Sequence, residues 1–111
     1  MEKRGMAADI ALLDDSNFKE GIESGVTVVD FFAEWCGPCR TIAPVLEEVA
    51  EDLSGQVRFG KLDIDKGHVT AKTYDVTSVP TLILYKNGEE AGRLVGLRDA
   101  AAIKEFATSA K

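Results

Sequence analysis

The chain has 111 residues, 45% of them hydrophobic, with ten glycines and three prolines. That composition fits one globular domain, leaves no room for a separate cofactor-binding module, and excludes a disordered or collagen-like chain. Nineteen acidic against thirteen basic residues give a formal charge of −6, and with no Lys/Arg cluster to meet a phosphate backbone this argues against nucleic acid and anionic membranes as partners.

In chain order, Met1-Glu2-Lys3-Arg4-Gly5-Met6-Ala7-Ala8-Asp9 lacks the uninterrupted apolar stretch of a signal peptide. Residues 1–8 read as an N-terminal leader, disorder being one reading of it, and 9–111 as the domain. A weak strand is predicted over 9–13. Asp14-Asp15-Ser16 then offer capping groups for a short helix ending near Gly21, with Glu23-Ser24-Gly25 as the turn. Val26-Thr27-Val28-Val29-Asp30-Phe31-Phe32 is almost continuously apolar, β-branched or aromatic, the pattern of a central strand covered on both faces. A long helix is predicted over 36–53, where Ile42, Val45, Leu46, Val49 and Leu53 recur at helical spacing; Pro44 inside it predicts a kink. Ser54-Gly55 ends that helix, 57–63 reads as a strand and 69–74 as a short helix. Residues 81–85 and 89–95 read as antiparallel strands joined through Asn87-Gly88, and 99–108 as a helix with Ala102, Ile103, Phe106 and Ala107 on one face. The order of elements predicts an α/β fold with a central mixed β-sheet flanked by helices on both faces.

No segment reaches the roughly 18 apolar residues of a membrane span. The cytoplasm is the expected compartment, and there a close cysteine pair is more often redox-active or metal-binding than a static bridge. Cys36 and Cys39, three apart at a predicted helix start, face the same side one turn apart and are close enough to bridge. The first sits where unpaired N–H groups and the helix dipole favour an anion, so a lowered pKa and thiolate character are expected of Cys36, with Cys39 placed to resolve a mixed disulfide. Zinc is the main competing reading; a closed site needs four ligands, and the chain adds only His68, itself read as a solvated loop residue. A structural bridge across so short a loop adds little stability.

The run Val28-Val29-Asp30-Phe31-Phe32-Ala33-Glu34-Trp35-Cys36-Gly37-Pro38-Cys39, followed by Ile42-Ala43-Pro44, resembles the thioredoxin family from about Asp14 onward. Lys61, Val79-Pro80-Thr81, Asn87-Gly88 and Gly96 stand in the family's order. The resemblance implies a thioredoxin fold and a protein disulfide reductase; the alternative reading is a thioredoxin-fold binding subunit that docks partners through the same apolar surface without redox turnover. It implies a cis bond before Pro80, against an ordinary trans proline at a strand start, and an apolar docking surface of Trp35, Gly37, Pro38, Val79, Pro80 and Gly96. No bound cofactor is implied. The partners it implies are a thioredoxin reductase as electron donor and disulfide-containing target proteins, met by a monomer. The chain departs from the family at Phe32, where many members carry a second tryptophan, at Arg40, where lysine is also common, and in its leader.

Asp30 is the one carboxylate in the central strand. By strand parity it shares a face with Val28 and Phe32 and points into packed interior, so desolvation should raise its pKa; the competing reading is an aspartate at a solvated sheet edge. Lys61 has the parity of Val57 and Phe59, which predicts a half-buried stem and an ammonium that partly offsets the shift. The matching family aspartate implies that Asp30 takes the proton of Cys39 through a water, and Asp30 and Lys61 join the two cysteines as candidate catalytic residues.

Overall fold

Branched and aromatic runs form the strands, and apolar residues at helical spacing form the helices, of the computed structural model, which describes residues 10–110. The order is β1 (Ile10–Leu13), α1 (Phe18–Ile22), β2 (Val26–Phe32), α2 (Gly37–Asp52), β3 (Arg58–Asp63), α3 (His68–Thr73), β4 (Thr81–Lys86), β5 (Glu89–Val95) and α4 (Ala100–Ala107). The expected leader, together with Asp9 and Lys111, lies outside the described residues.

The five strands form one sheet in the order β1-β3-β2-β4-β5. β3 runs parallel to β1 and β2, whereas β4 is antiparallel to β2 and β5 to β4. β2 is therefore the middle strand, and its unbroken apolar run has a cause: Val28 and Val29 point to opposite faces and both are fully buried. Val28 packs with Ile42, Leu46 and Val49 of α2 and Ile103 of α4. Val29 packs on the other face with Phe18 and Ile22 of α1 and Ala71 of α3. The sheet edges are the four-residue β1 and the more polar β5, which exposes Glu89 and Glu90.

Asp14, Asp15 and Ser16 do not cap α1 as expected. The cap position is Asn17, which makes no side-chain capping bond. The Asp14 carboxylate instead accepts from Ser16 N, Ser16 Oγ and Asn17 N, closing a local turn, the alternative open to short polar side chains beside free backbone donors. Asp15 reaches to α3, whose own cap residue, Gly67, has no side chain to offer. Its carboxylate accepts from Val69 N at 3.4 Å and Thr70 N at 2.8 Å, the donors that an N-cap normally satisfies. His68 is exposed, but it opens α3 instead of lying in a loop. α2 runs on through Pro44 as one helix.

Candidate active site

β2 ends in the middle of the sheet, so the chain leaving it emerges where the parallel strands finish, and α2 starts there. Cys36 is the N-cap of α2, with extended backbone (φ −93°, ψ 113°), and its Sγ accepts the Cys39 backbone N–H at 3.1 Å. A sulfur thus fills the place usually taken by a Ser or Asp oxygen, facing the positive end of a 16-residue helix. Pro38 lies in the first turn, where its missing N–H removes no helical bond.

Cys36 and Cys39 are joined by a disulfide, with Cα atoms 5.3 Å apart. They pack with Ala33, Phe32, Ile64 and Val79. Exposure does not separate the two: they are 5% and 4% exposed. The cap position separates them. Only Cys36 receives a backbone N–H and sits ahead of the helix.

The other wall of the site comes from the turn before β4. The Val79–Pro80 bond is cis, and Val79 O lies 3.7 Å from Cys36 Sγ. Thr81 Oγ1 donates to Ser78 O at 2.7 Å, and Gly96 N donates to Pro80 O at 2.9 Å, tying this turn to the end of β5. Gly96 has φ +94°, which suits glycine. A Cβ at Gly37 would meet nothing within 4 Å, so the bare glycine keeps the surface beside the disulfide low. Trp35, Gly37 and Pro38 are exposed, Val79 and Gly96 are half-buried, and Pro80 is buried. The structure brings these six residues around the cysteine pair.

Trp35 is 67% exposed, an unusual place for so large an apolar surface. Its Nε1–H donates to Asp65 Oδ2 at 2.9 Å. Asp65 and Ile64 were not legible as site residues, because their contacts are made by a loop some thirty positions along the chain. Leu97 is a further addition: it is 48% exposed and follows Gly96.

Asp30 stands on β2, the strand that leads into the site. It is buried, and its Oδ1 has no hydrogen-bond partner among the described residues. Burial raises its pKa to about 7, and the nearby Lys61 ammonium acts in the opposite direction. A crevice of 20 Å³, room for about one water, is lined by Asp30, Ala43, Glu47 and Lys61 among others. Ala43 stands four residues after Cys39 on α2, hence on the same side of the helix. Lys61 is exposed as a whole residue, and it also lines this crevice. Its Nζ lies 5.7 Å from the centre of the Phe32 ring. Among the described residues, no group of three or more His, Cys, Asp and Glu is placed to hold a metal ion, and no helix is long and apolar enough to cross a membrane.

Comparison with known proteins agrees with this geometry. The family model described as Thioredoxin matches residues 9–109. The chain is 49% identical over 100 residues to the thioredoxin of Chlamydia pneumoniae, covering 90% of this chain and 93% of that protein. It is 48% identical to the thioredoxin of Staphylococcus saprophyticus and 46% identical to that of Staphylococcus aureus, each over 96 residues that cover 86% of this chain and 92% of the relative.

Proposed function

The chain belongs to the thioredoxin family and is a thiol-disulfide oxidoreductase that reduces protein disulfides through Cys36 and Cys39, and from that premise we propose the part each group plays. In the dithiol form, the thiolate of Cys36 is held by the Cys39 N–H and the end of α2 and attacks one sulfur of a target disulfide. That S–S bond breaks, its electron pair leaves with the other target sulfur, which takes a proton, and a mixed disulfide remains. Cys39 loses its proton to the Asp30 carboxylate through a water in the crevice and attacks Cys36 Sγ. The second target thiolate leaves and is protonated. Two electrons have passed to the target, and the Cys36–Cys39 disulfide seen here is the product state.

Lys61 acts on Asp30, its positive charge moderating the carboxyl so that the group can exist in both protonation states near neutrality. Trp35, Gly37, Pro38, Val79, Pro80 and Gly96 form the docking surface, where Val79 O offers a backbone acceptor to an extended target segment. A thioredoxin reductase returns the two electrons, the protein works as a monomer in the cytoplasm, and it carries electrons between these partners without a bound cofactor. The single observation that carries this reading is the Cys36 sulfur at the cap of α2, with Cys39 N–H on one side and Val79 O on the other. A binding subunit without turnover is not favoured, because it gives that sulfur nothing to do.

The experiment is trapping. A Cys39→Ser variant is expected to accumulate mixed disulfides with insulin or another disulfide protein, visible by non-reducing electrophoresis and mass spectrometry. Accumulation in Cys36→Ser instead would reverse the two roles.

A further inference from the structure

The connection from α3 to β4 carries Val79, whose carbonyl lies beside Cys36, yet it contains no regular structure of its own. It leaves α3 by a sharp turn at Asp75, whose φ is +59°, a conformation that residues with side chains rarely take and that glycine usually supplies after a helix. Val76 N donates back to Ala71 O at 2.9 Å. Beyond that bond, the N–H groups of Thr77, Ser78 and Val79 find no backbone acceptor among the described residues, and Thr77 and Ser78 are exposed. The place of Val79 therefore depends on how the two ends of this segment are held.

β5 holds both. At the far end Gly96 N donates to Pro80 O. At the near end the grip is a side chain: Arg93 Nη2 donates to Tyr74 O at 2.7 Å. Arg93 stands opposite Ile83 of β4, and Ile83 packs on the face that α1 and α3 cover. The guanidinium thus meets the C-terminal end of α3, where carbonyls lack helical donors and a cation is favoured. Glu90 fixes the fork, its two carboxylate oxygens accepting from Arg93 Nε at 2.8 Å and Nη2 at 2.9 Å. The hydrogen bond to Glu90 first, and then the charges of Glu90 and Asp75, favour the cation against its partial burial, so the carboxylate of the positive-φ residue also acts on Arg93. Arg93 is half-buried and three residues before Gly96 in the chain.

We propose that Arg93 is a positioning residue for target docking: its grip on Tyr74 O fixes the segment 75–79, and with it the place of Val79 beside Cys36. This rests on the reductase reading above and adds to it a residue outside the cysteine motif and outside the docking surface. Arg93 has no contact with either cysteine, so its effect falls on the binding of a protein target and not on the exchange of sulfur bonds.

The test sets a protein substrate against a small one. Arg93→Met keeps the apolar stem and removes every donor. With dithiothreitol as the terminal reductant, its KM for insulin is expected to rise about five-fold with kcat little changed. The rate at which the pre-reduced variant reduces hydroxyethyl disulfide, which is too small to span the docking surface, should match that of the unmodified protein. Backbone nitrogen order parameters of Thr77, Ser78 and Val79 should fall from about 0.85 toward about 0.6, with those of β2 unchanged. If Arg93→Met does not fold, Arg93→Lys reads the same split at about two-fold, since one ammonium cannot serve Tyr74 O and both Glu90 oxygens in the geometry of the fork. An equal loss on insulin and on the small disulfide marks a merely destabilised fold and overturns the inference. So does an unchanged KM for insulin, or a segment whose order parameters do not move; each of these leaves the reductase reading intact. Failure of the unmodified protein to reduce either substrate overturns both.

Discussion

At Asp30, burial makes the ionised carboxyl costly, and the sign of the effect on stability follows. Its folded pKa of about 7 lies above the ordinary 3.8, so the group costs nothing extra while protonated, and the cost grows as pH rises from about 4 through about 7. Above that range it is on the order of 4 kcal/mol. Asp30→Ala is therefore expected to leave the oxidised protein's stability near unchanged at about pH 4 and to stabilise it increasingly toward neutrality, while slowing disulfide reduction. Denaturant melts over that pH range and insulin-reduction rates measure both, and a stabilisation that does not grow with pH would count against a desolvated carboxyl. Trp35 raises a different question, since an exposed indole has many orientations and Asp65 selects one. Asp65→Ala should raise KM for protein substrates a few-fold with little change in kcat, and Asp65→Asn, which keeps an acceptor oxygen, should restore it. Because Trp35 is the chain's one tryptophan, its fluorescence reports the released indole directly. The cysteine pair and the buried character of Asp30 were legible in the sequence because motif spacing and strand parity are local, whereas the cis bond before Pro80 was legible only through the resemblance to the family. Asp65 was not legible, because its contact depends on what lies across space.

The elements were legible wherever period and length agreed. β2, α2, the β4–β5 hairpin and α4 carry their apolar patterns over seven or more residues or around an Asn-Gly turn, and each forms within a residue or two of its predicted span. The short helices α1 and α3 also end within a residue of expectation, but their capping did not follow it, because polar side chains near them had more than one backbone donor to choose from: Asp14 closed a turn and Asp15 capped α3 in place of α1. In the hairpin, Asn87 and Gly88 both have positive φ, 51° and 89°, the pairing of a type I′ turn. A Cβ on Gly88 would find only ordinary contacts, at 3.8 Å or more, so the cost of a side chain there is backbone strain alone. Gly88→Ala should destabilise the protein by about 1 kcal/mol in chemical denaturation without changing the rate of disulfide reduction. A larger loss would mean that the turn does more than join two strands.

Taken whole, the molecule is a two-faced layer structure with a radius of gyration of 12.8 Å, close to the roughly 13 Å expected of a compact chain this long. α2 and α4 cover one face of the sheet and α1 and α3 the other, so the cysteine pair rides on the end of a helix whose opposite flank is locked into the core. The two sides of the sheet are thus closed, but its two margins are not. A strand at a margin has unpaired N–H and C=O groups and can recruit the same strand from another copy, the first step toward fibrils. β1 limits this by length, having four residues. β5 has seven, and its protection is charge: Glu89 and Glu90 are exposed at its start, and Glu90 is bridged to Arg93 at 2.8 Å. Replacing both glutamates by valine should turn that margin into a template, with concentration-dependent association in sedimentation velocity and thioflavin-positive material on prolonged incubation. The check on polymerisation thus stands at the far end of the sheet order from β1, in two carboxylates that take no part in the proposed redox chemistry.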